Sequence, residues 1–276
     1  PMSLWFVLPF GLLPYGLATF VFLVGGVAWF AWALCRTLSW RDARLAAVAF
    51  PGIVVVLATG QNSLWLAGCA GLALTCLRSR PLLAGVLLGV VAMKPQLALM
   101  IPVALLCARA WRALGAMAFT TLVLTVASLL VFGSEPFAAF LRNAAMARES
   151  VEQGSALMAR MPTVFASMKL ISGGLLLPYA IHGLVAAAAL ASVVYAWSRP
   201  CSFALRAAVL VVAGLLVPAY LYDYDLVFLG LAIAWLGAHG HRAGWLRGER
   251  ELLVLLWLMP LWSRVTGPEI GFQPLP

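Results

Sequence analysis

The chain has 276 residues, of which 64% are hydrophobic and 10% charged, with a formal net charge of +9 and a mean hydropathy of +1.02. A soluble domain carries about 25% charged and roughly 45–50% apolar residues, so this balance excludes a soluble enzyme and points to an integral membrane protein. The 18 lysines and arginines stand in short clusters between apolar runs and not in one basic stripe, which excludes nucleic acid as a partner and is what the positive-inside rule produces.

The expected fold class is all-α, a polytopic transmembrane helical bundle over residues 1–276. The apolar runs are continuous and rich in Leu and Ala, without the period-2 alternation of a barrel. A spanning helix needs about 20 apolar residues. Ten candidate segments follow, several of them short or broken, near 15–35, 44–60, 62–78, 81–93, 96–109, 113–132, 174–197, 203–221, 226–239 and 251–263. The stretch "PFGLLPYG" (9–16) reads as a proline-interrupted lead-in to the first of them. The chain opens on Pro1 with no basic region ahead of its first apolar run, so its natural N-terminus is expected to lie upstream.

Ends of alternate segments carry Arg36, Arg41, Arg44, Arg78, Arg80, Arg109, Arg112, Arg199, Arg206, Arg242, Arg247 and Arg250, which is 12 of the 18 basic residues. That face is expected to be cytoplasmic. The opposite, outer face receives six of the nine acids and four polar features, a convergence that suggests a site facing the periplasm or exterior.

The first outer feature is "TGQNS" (59–63), where Gln61 and Asn62 supply amide donors and acceptors for sugar hydroxyls or phosphate, or simply form a polar turn at Gly60. The second is "MKPQ" (93–96). Arms of about 14 residues reach only about 20 Å, short of a hydrocarbon core about 30 Å thick, so Lys94 is expected below the outer surface at the tip of a short helical hairpin broken by Pro95. An ammonium at that depth needs a polar cavity or a partner, or must snorkel to the interface. Gln96 stands one turn on.

The third feature, 133–172, alternates apolar and charged residues and is expected to form an amphipathic surface segment, with Arg160 and Lys169 available to lipid phosphate. His182 is a lone histidine in an apolar run with no evident partner. The fourth, "YLYDYD" (220–225), sets Asp223 and Asp225 among Tyr220, Tyr222 and Tyr224. A carboxylate there could take a hydroxyl proton, hold a sugar, bind a cation or pair with Lys94. The two aspartates point the same way if the turn is extended and diverge if it is helical. The five cysteines show no CxxC or metal-ligand spacing, and no nucleotide or metallohydrolase motif occurs, so no metal or cofactor is expected.

The arrangement "ATGQNSLWLAGCAGLAL", "RPLLAGVLLGVVAMKPQLALMIPVALL" and "RAWRAL", with "VPAYLYDYDLVFL" and the "LPFGLLPY" opening, resembles glycosyltransferase family 87 from about residue 4 to 235. The family's members are polytopic GT-C enzymes, among them polyprenol-phosphate-mannose-dependent mannosyltransferases. The resemblance implies inverting transfer of a hexose, mannose in the first instance, from a polyprenyl-phosphate donor to a hydroxyl of a glycan or lipid acceptor. It implies a bacterial inner-membrane protein, acting among membrane lipids on the non-cytoplasmic face. Lys94, with Arg160 and Lys169, would meet the donor phosphate. Gln61, Asn62, Gln96, Tyr222 and Tyr224 would meet sugar or acceptor, and Asp223 and Asp225 are the catalytic candidates. GT-C enzymes usually carry their base carboxylate in the first outer loop, and this chain is expected to start past that loop. The residues alone also leave open a transporter or flippase of a lipid-linked or anionic substrate, and a non-catalytic membrane protein.

Overall fold

A computed structural model describes residues 1–38, 41–154, 158 and 160–270, and every regular element among them is helical. The order is α1 (Ser3–Val7), a 3-10 turn (Leu8–Leu12), α2 (Tyr15–Thr37), α3 (Arg41–Val48), α4 (Pro51–Thr59), α5 (Ser63–Cys76), α6 (Pro81–Val91), α7 (Pro95–Ala98), α8 (Met100–Cys107) and α9 (Trp111–Phe132). There follow α10 (Glu135–Glu152), α11 (Val164–Ser172), α12 (Leu176–Ser198), α13 (Phe203–Leu216), a second 3-10 turn (Asp223–Phe228), α14 (Leu229–Ala243) and α15 (Glu249–Ile270).

Proline sets many of these boundaries. Pro51, Pro81 and Pro95 each open a helix, where a missing N–H costs nothing. Pro102 inside α8 cannot donate to the Ala98 carbonyl, and α7 is separated from α8 at Leu99. The segment expected at 44–60 is likewise divided into α3 and α4 at Pro51.

Among the described residues α2, α9 and α12 are long and apolar enough to cross a membrane, whereas α5, α6, α7–α8 and α13 are shorter apolar helices. Helix length therefore supports three crossings and does not by itself carry the ten expected. Phe119, Leu122, Leu130, Leu176 and Leu184 expose large apolar side chains on α9 and α12, as lipid-facing helices do.

The main core draws on α2, α4, α5, α6, α7, α8, α9, α12, α13 and α14. α6 lies against α9 through small residues: a Cβ on Gly85 would stand 2.3 Å from the Ala113 carbonyl oxygen. Close backbone approach of this kind is how helices associate where no hydrophobic drive separates them from lipid.

The chain breaks at Lys94 as Pro95 requires, but the two arms diverge. α6 packs against α5 and α9, whereas α8 packs against α12, α13 and α9. Lys94 thus stands between two arms that pack on different sets of neighbours. The stretch expected as one amphipathic segment is two helices: α10 is exposed along most of its length, while α11 packs on α12. Val151 at the end of α10 joins Met158, Met161, Phe165 and Ala166 in a small second core, against which Tyr220 and Tyr222 lie.

Candidate active site

All four outer features contribute to one polar cluster: three meet at Asp225 and the fourth reaches Asp223 through Arg160. Gly60 ends α4 in the left-handed conformation (φ 65°), its N–H donating to the Val56 carbonyl at 2.9 Å, and the chain turns so that α5 begins at Ser63. Lys94 occupies the residue before Pro95 in a non-helical conformation (φ −110°, ψ 87°), which releases its side chain from the helical register. Residues 217–222 lead out of α13 into the 3-10 turn bearing Asp223 and Asp225.

The Lys94 ammonium donates to Asp225 Oδ1 at 2.8 Å and to Ser63 Oγ at 2.8 Å, and Ser63 Oγ donates to the same carboxylate oxygen at 2.7 Å. The ammonium also lies 4.7 Å from the centre of the Tyr224 ring. Ser63 and Asp225 are buried, and the Lys94 side chain keeps 14% exposure. A buried carboxylate is costly unless paired and hydrogen-bonded, and here both conditions are met.

Asp223 points elsewhere. In a 3-10 turn of three residues per turn, positions i and i+2 lie on different sides, so the two aspartates diverge. Asp223 Oδ1 accepts the Tyr224 N–H at 2.9 Å. Its Oδ2 accepts from Arg264 Nη1 of α15 at 2.8 Å and stands 3.5 Å from Arg160. Burial pushes the Asp223 carboxyl above the ordinary carboxylate range, opposed by the Arg160 guanidinium and the Tyr224 N–H. The Tyr222 and Tyr224 rings stack at 5.6 Å, and burial raises the Tyr224 phenol. Three cations thus face two carboxylates.

Of the residues singled out from sequence, Lys94, Asp223, Asp225, Tyr222, Tyr224 and Arg160 are brought together. Gln61 and Gln96 are half-buried beside the site along the chain, without side-chain hydrogen bonds among the described residues, and Asn62 Oδ1 is buried without a partner. Lys169 is not gathered in: its ammonium caps the C-terminus of α11 through the Gly173 carbonyl at 2.7 Å. His182, buried in α12, uses Nε2 to hold the Val217 carbonyl at 3.0 Å, where α13 gives way to the aspartate-bearing strand of chain. Two participants were missed. Ser63 lies inside "TGQNS" beside two amides that offer more donors and acceptors than its hydroxyl, and Arg264 stands 41 positions after the carboxylate it meets, with no local pattern linking them.

The family model for glycosyltransferase family 87 matches residues 1–222. The chain belongs to glycosyltransferase family 87. No curated protein and no solved structure is significantly similar to it. Ser63, Lys94 and Arg160 lie within the stretch matched to family 87, while Asp223, Asp225 and Arg264 come after it. A family 87 protein uses a sugar donor and an acceptor, and apolar helices of the length of α2, α9 and α12 suit a membrane setting.

Proposed function

We propose that this family 87 protein transfers a hexose, mannose in the first instance, from a polyprenyl-phosphate donor to a hydroxyl of a glycan or lipid acceptor, with inversion, on the non-cytoplasmic face of a bacterial inner membrane. The observation that carries the reading is the joining of Lys94, Ser63 and Asp225 at a broken-helix floor within a glycosyltransferase chain.

In this reading the leaving group is the donor's phosphate. As the bond between the anomeric carbon and the phosphate oxygen breaks, negative charge grows on that oxygen, and preorganised cations stabilise it most where water is scarce. Lys94 is the cation nearest the floor, and Arg160 stands on the neighbouring carboxylate. The approach of the phosphate gives the ammonium a second anion, so that it can leave Asp225 and swing to the donor.

Asp225, relieved of its partner, is the carboxylate among the described residues best placed to take the acceptor hydroxyl's proton as the acceptor oxygen attacks the anomeric carbon. Ser63 holds the carboxylate in place while its charge partner changes. The face of Tyr224 gives the ammonium a further resting contact and offers the sugar an apolar surface. Gln61, Asn62 and Gln96 supply amides along the rim for sugar or acceptor hydroxyls. The excess of arginine and lysine at the other ends of the predicted segments supports placing this site outside.

The test is transfer of radiolabelled hexose from a polyprenyl-phosphate donor by the full chain in membranes or nanodiscs. Lys94→Ala and Asp225→Asn are each expected to lower the rate by about a hundredfold or more, in line with the loss of a charge stabiliser or a general base. Transfer that survives both substitutions removes this cluster from the chemistry.

A further inference from the structure

At the end of the bundle away from Lys94, α12 and α13 carry two guanidinium groups that no carboxylate matches. The C-terminal end of α13 leads toward Asp223 and Asp225, so Arg206, near the start of α13, stands roughly 15 Å back along the helix from that end. Arg199 follows the last residue of α12. Among the described residues neither arginine forms an ion pair. Arg206 Nη2 donates to the Arg199 carbonyl at 2.6 Å, which ties the start of α13 to the end of α12, and the buried Arg206 Nε has no hydrogen-bond partner. Arg199 is exposed, its guanidinium carbon 5.9 Å from the centre of the Tyr195 ring.

Toward the middle of the bundle the same faces form an apolar groove of about 520 Å³. It is lined by Ala189 and Ser192 of α12, by Val209, Ala213 and Leu216 of α13, and by Leu236 of α14. Ser192 Oγ is spent on the Ala188 carbonyl of its own helix at 2.8 Å, so the wall keeps its apolar character. The arginines stand on the same stripes as the groove residues. Arg199 comes seven positions after Ser192, two helical turns on, and Arg206 comes three before Val209 and seven before Ala213. Groove and guanidinium groups are therefore one continuous surface, apolar along its length and cationic at its end. Leu190, Val194 and Tyr195 are exposed on α12, on surface that faces lipid in a membrane.

We propose that this surface binds one anionic phospholipid, with the headgroup phosphate held by Arg199 and Arg206 and an acyl chain laid in the groove between α12 and α13. Charge complementarity decides the occupant. Guanidinium forks match phosphate oxygens bidentately, and basic pockets between transmembrane helices suit anionic headgroups. A zwitterionic lipid brings its own cation, which the arginines repel. A second copy of the chain laid over this face would bury two guanidinium groups without a counter-charge, at high cost. A lipid seated here bridges α12 and α13 where Arg206 already ties them. The site lies at the opposite end of α13 from the Lys94–Asp225 cluster and does not rest on sugar transfer.

The experiment titrates the purified full chain in non-ionic detergent with dioleoylphosphatidylglycerol, with dioleoylphosphatidylcholine, and with glycerol 3-phosphate as a headgroup lacking chains. Native mass spectrometry counts the molecules retained, and the thermal midpoint reports stabilisation by the bound form. Phosphatidylglycerol is expected to bind as one molecule per chain in preference to the other two probes. Arg199→Gln and Arg206→Gln should each weaken it about fivefold or more, the scale of one basic residue at an anionic headgroup. Ser192→Phe fills the groove with both arginines in place and should weaken it about fourfold or more, the worth of one buried methylene. Arg112→Gln removes an exposed cation at the start of α9 and should leave binding unchanged.

Selective retention of phosphatidylglycerol that the two arginine variants and Ser192→Phe all weaken supports the site. Equal retention of the two lipids, an equal loss in Arg112→Gln, or a chain that dimerises through this face and excludes lipid overturns it. Glycerol 3-phosphate binding as tightly as the lipid, or lipid binding indifferent to Ser192→Phe, overturns it as well, because the groove then has no part. Should Arg206→Gln no longer unfold cooperatively, Arg199→Gln decides, since that side chain is exposed and lies beyond the helix end. Lipid binding with this pattern and no sugar transfer leaves the site standing and counts against the glycosyltransferase mechanism alone.

Discussion

Replacing Lys94 by methionine removes the ammonium at little change in side-chain volume and leaves Asp225 buried with one remaining donor, Ser63. At an effective dielectric of about 20, charges 2.8 Å apart attract by roughly 6 kcal/mol before the desolvation already spent on the pair is counted. Breaking a buried pair from one side typically costs about 3–5 kcal/mol, because the surviving charge is stranded. The Ser63 hydrogen bond to a charged acceptor, of about 1.5–3 kcal/mol, survives and holds the loss within that range. Asp225→Asn alone strands an ammonium that still has some access to water, so its cost is smaller, about 1–3 kcal/mol. The double variant Lys94→Met with Asp225→Asn leaves no stranded charge and is expected within about 1–2 kcal/mol of the unaltered chain. The assay is equilibrium unfolding in detergent micelles, run as a double-mutant cycle beside the transfer assay. The cycle should return a coupling of at least about 2 kcal/mol, with stability recovered and sugar transfer still absent in the double variant. Single changes whose effects add to within about 0.5 kcal/mol would refute the ion pair as the element that organises the floor.

Gly85→Val drives two methyl groups and a Cβ toward the Ala113 carbonyl and should lower stability by about 1–3 kcal/mol or more by overpacking the α6–α9 contact, whereas Gly115→Ala, with open space around its Cβ inside α9, should raise stability by up to about 1 kcal/mol. Glu152 ties the end of α10 to Tyr179 of α12 and to Arg148, and the Tyr179 hydroxyl first, then Arg148, holds its carboxyl below the ordinary value of 4.5. A depressed carboxyl contributes its stabilisation above the unfolded-state value and loses it as pH falls through the folded-state value. Amide exchange at the C-terminal end of α10 should therefore be pH-independent in its protection above about 4.5 and rise below it, and Glu152→Gln should abolish that change.

The membrane character, the helical class and the helix break at Pro95 were legible in the chain, because apolar composition and the missing N–H of proline act locally, whereas the breaks at Pro51 and Leu99 fall inside segments expected to run unbroken. Lys94, Asp223 and Asp225 were legible as well, since charge within apolar surroundings is conspicuous at any distance from its partner. What the sequence could not decide was pairing. Ser63 and Asp225 stand 162 positions apart and Asp223 and Arg264 stand 41 apart, and no local rule of spacing links such residues. The choice between an extended and a 3-10 conformation at 223–228 sends one aspartate to the lysine and the other to the arginines, and packing against α4, α5 and α15 accompanies that choice. Lys169 stands apart from the cluster, its ammonium donating to the Gly173 carbonyl at the end of α11. Local chemistry named the candidates because solvation cost belongs to each residue by itself. Tertiary packing assigned their partners, because a buried charge is stabilised by whichever opposite group the folded chain brings within about 3–4 Å, and that distance exists only after folding.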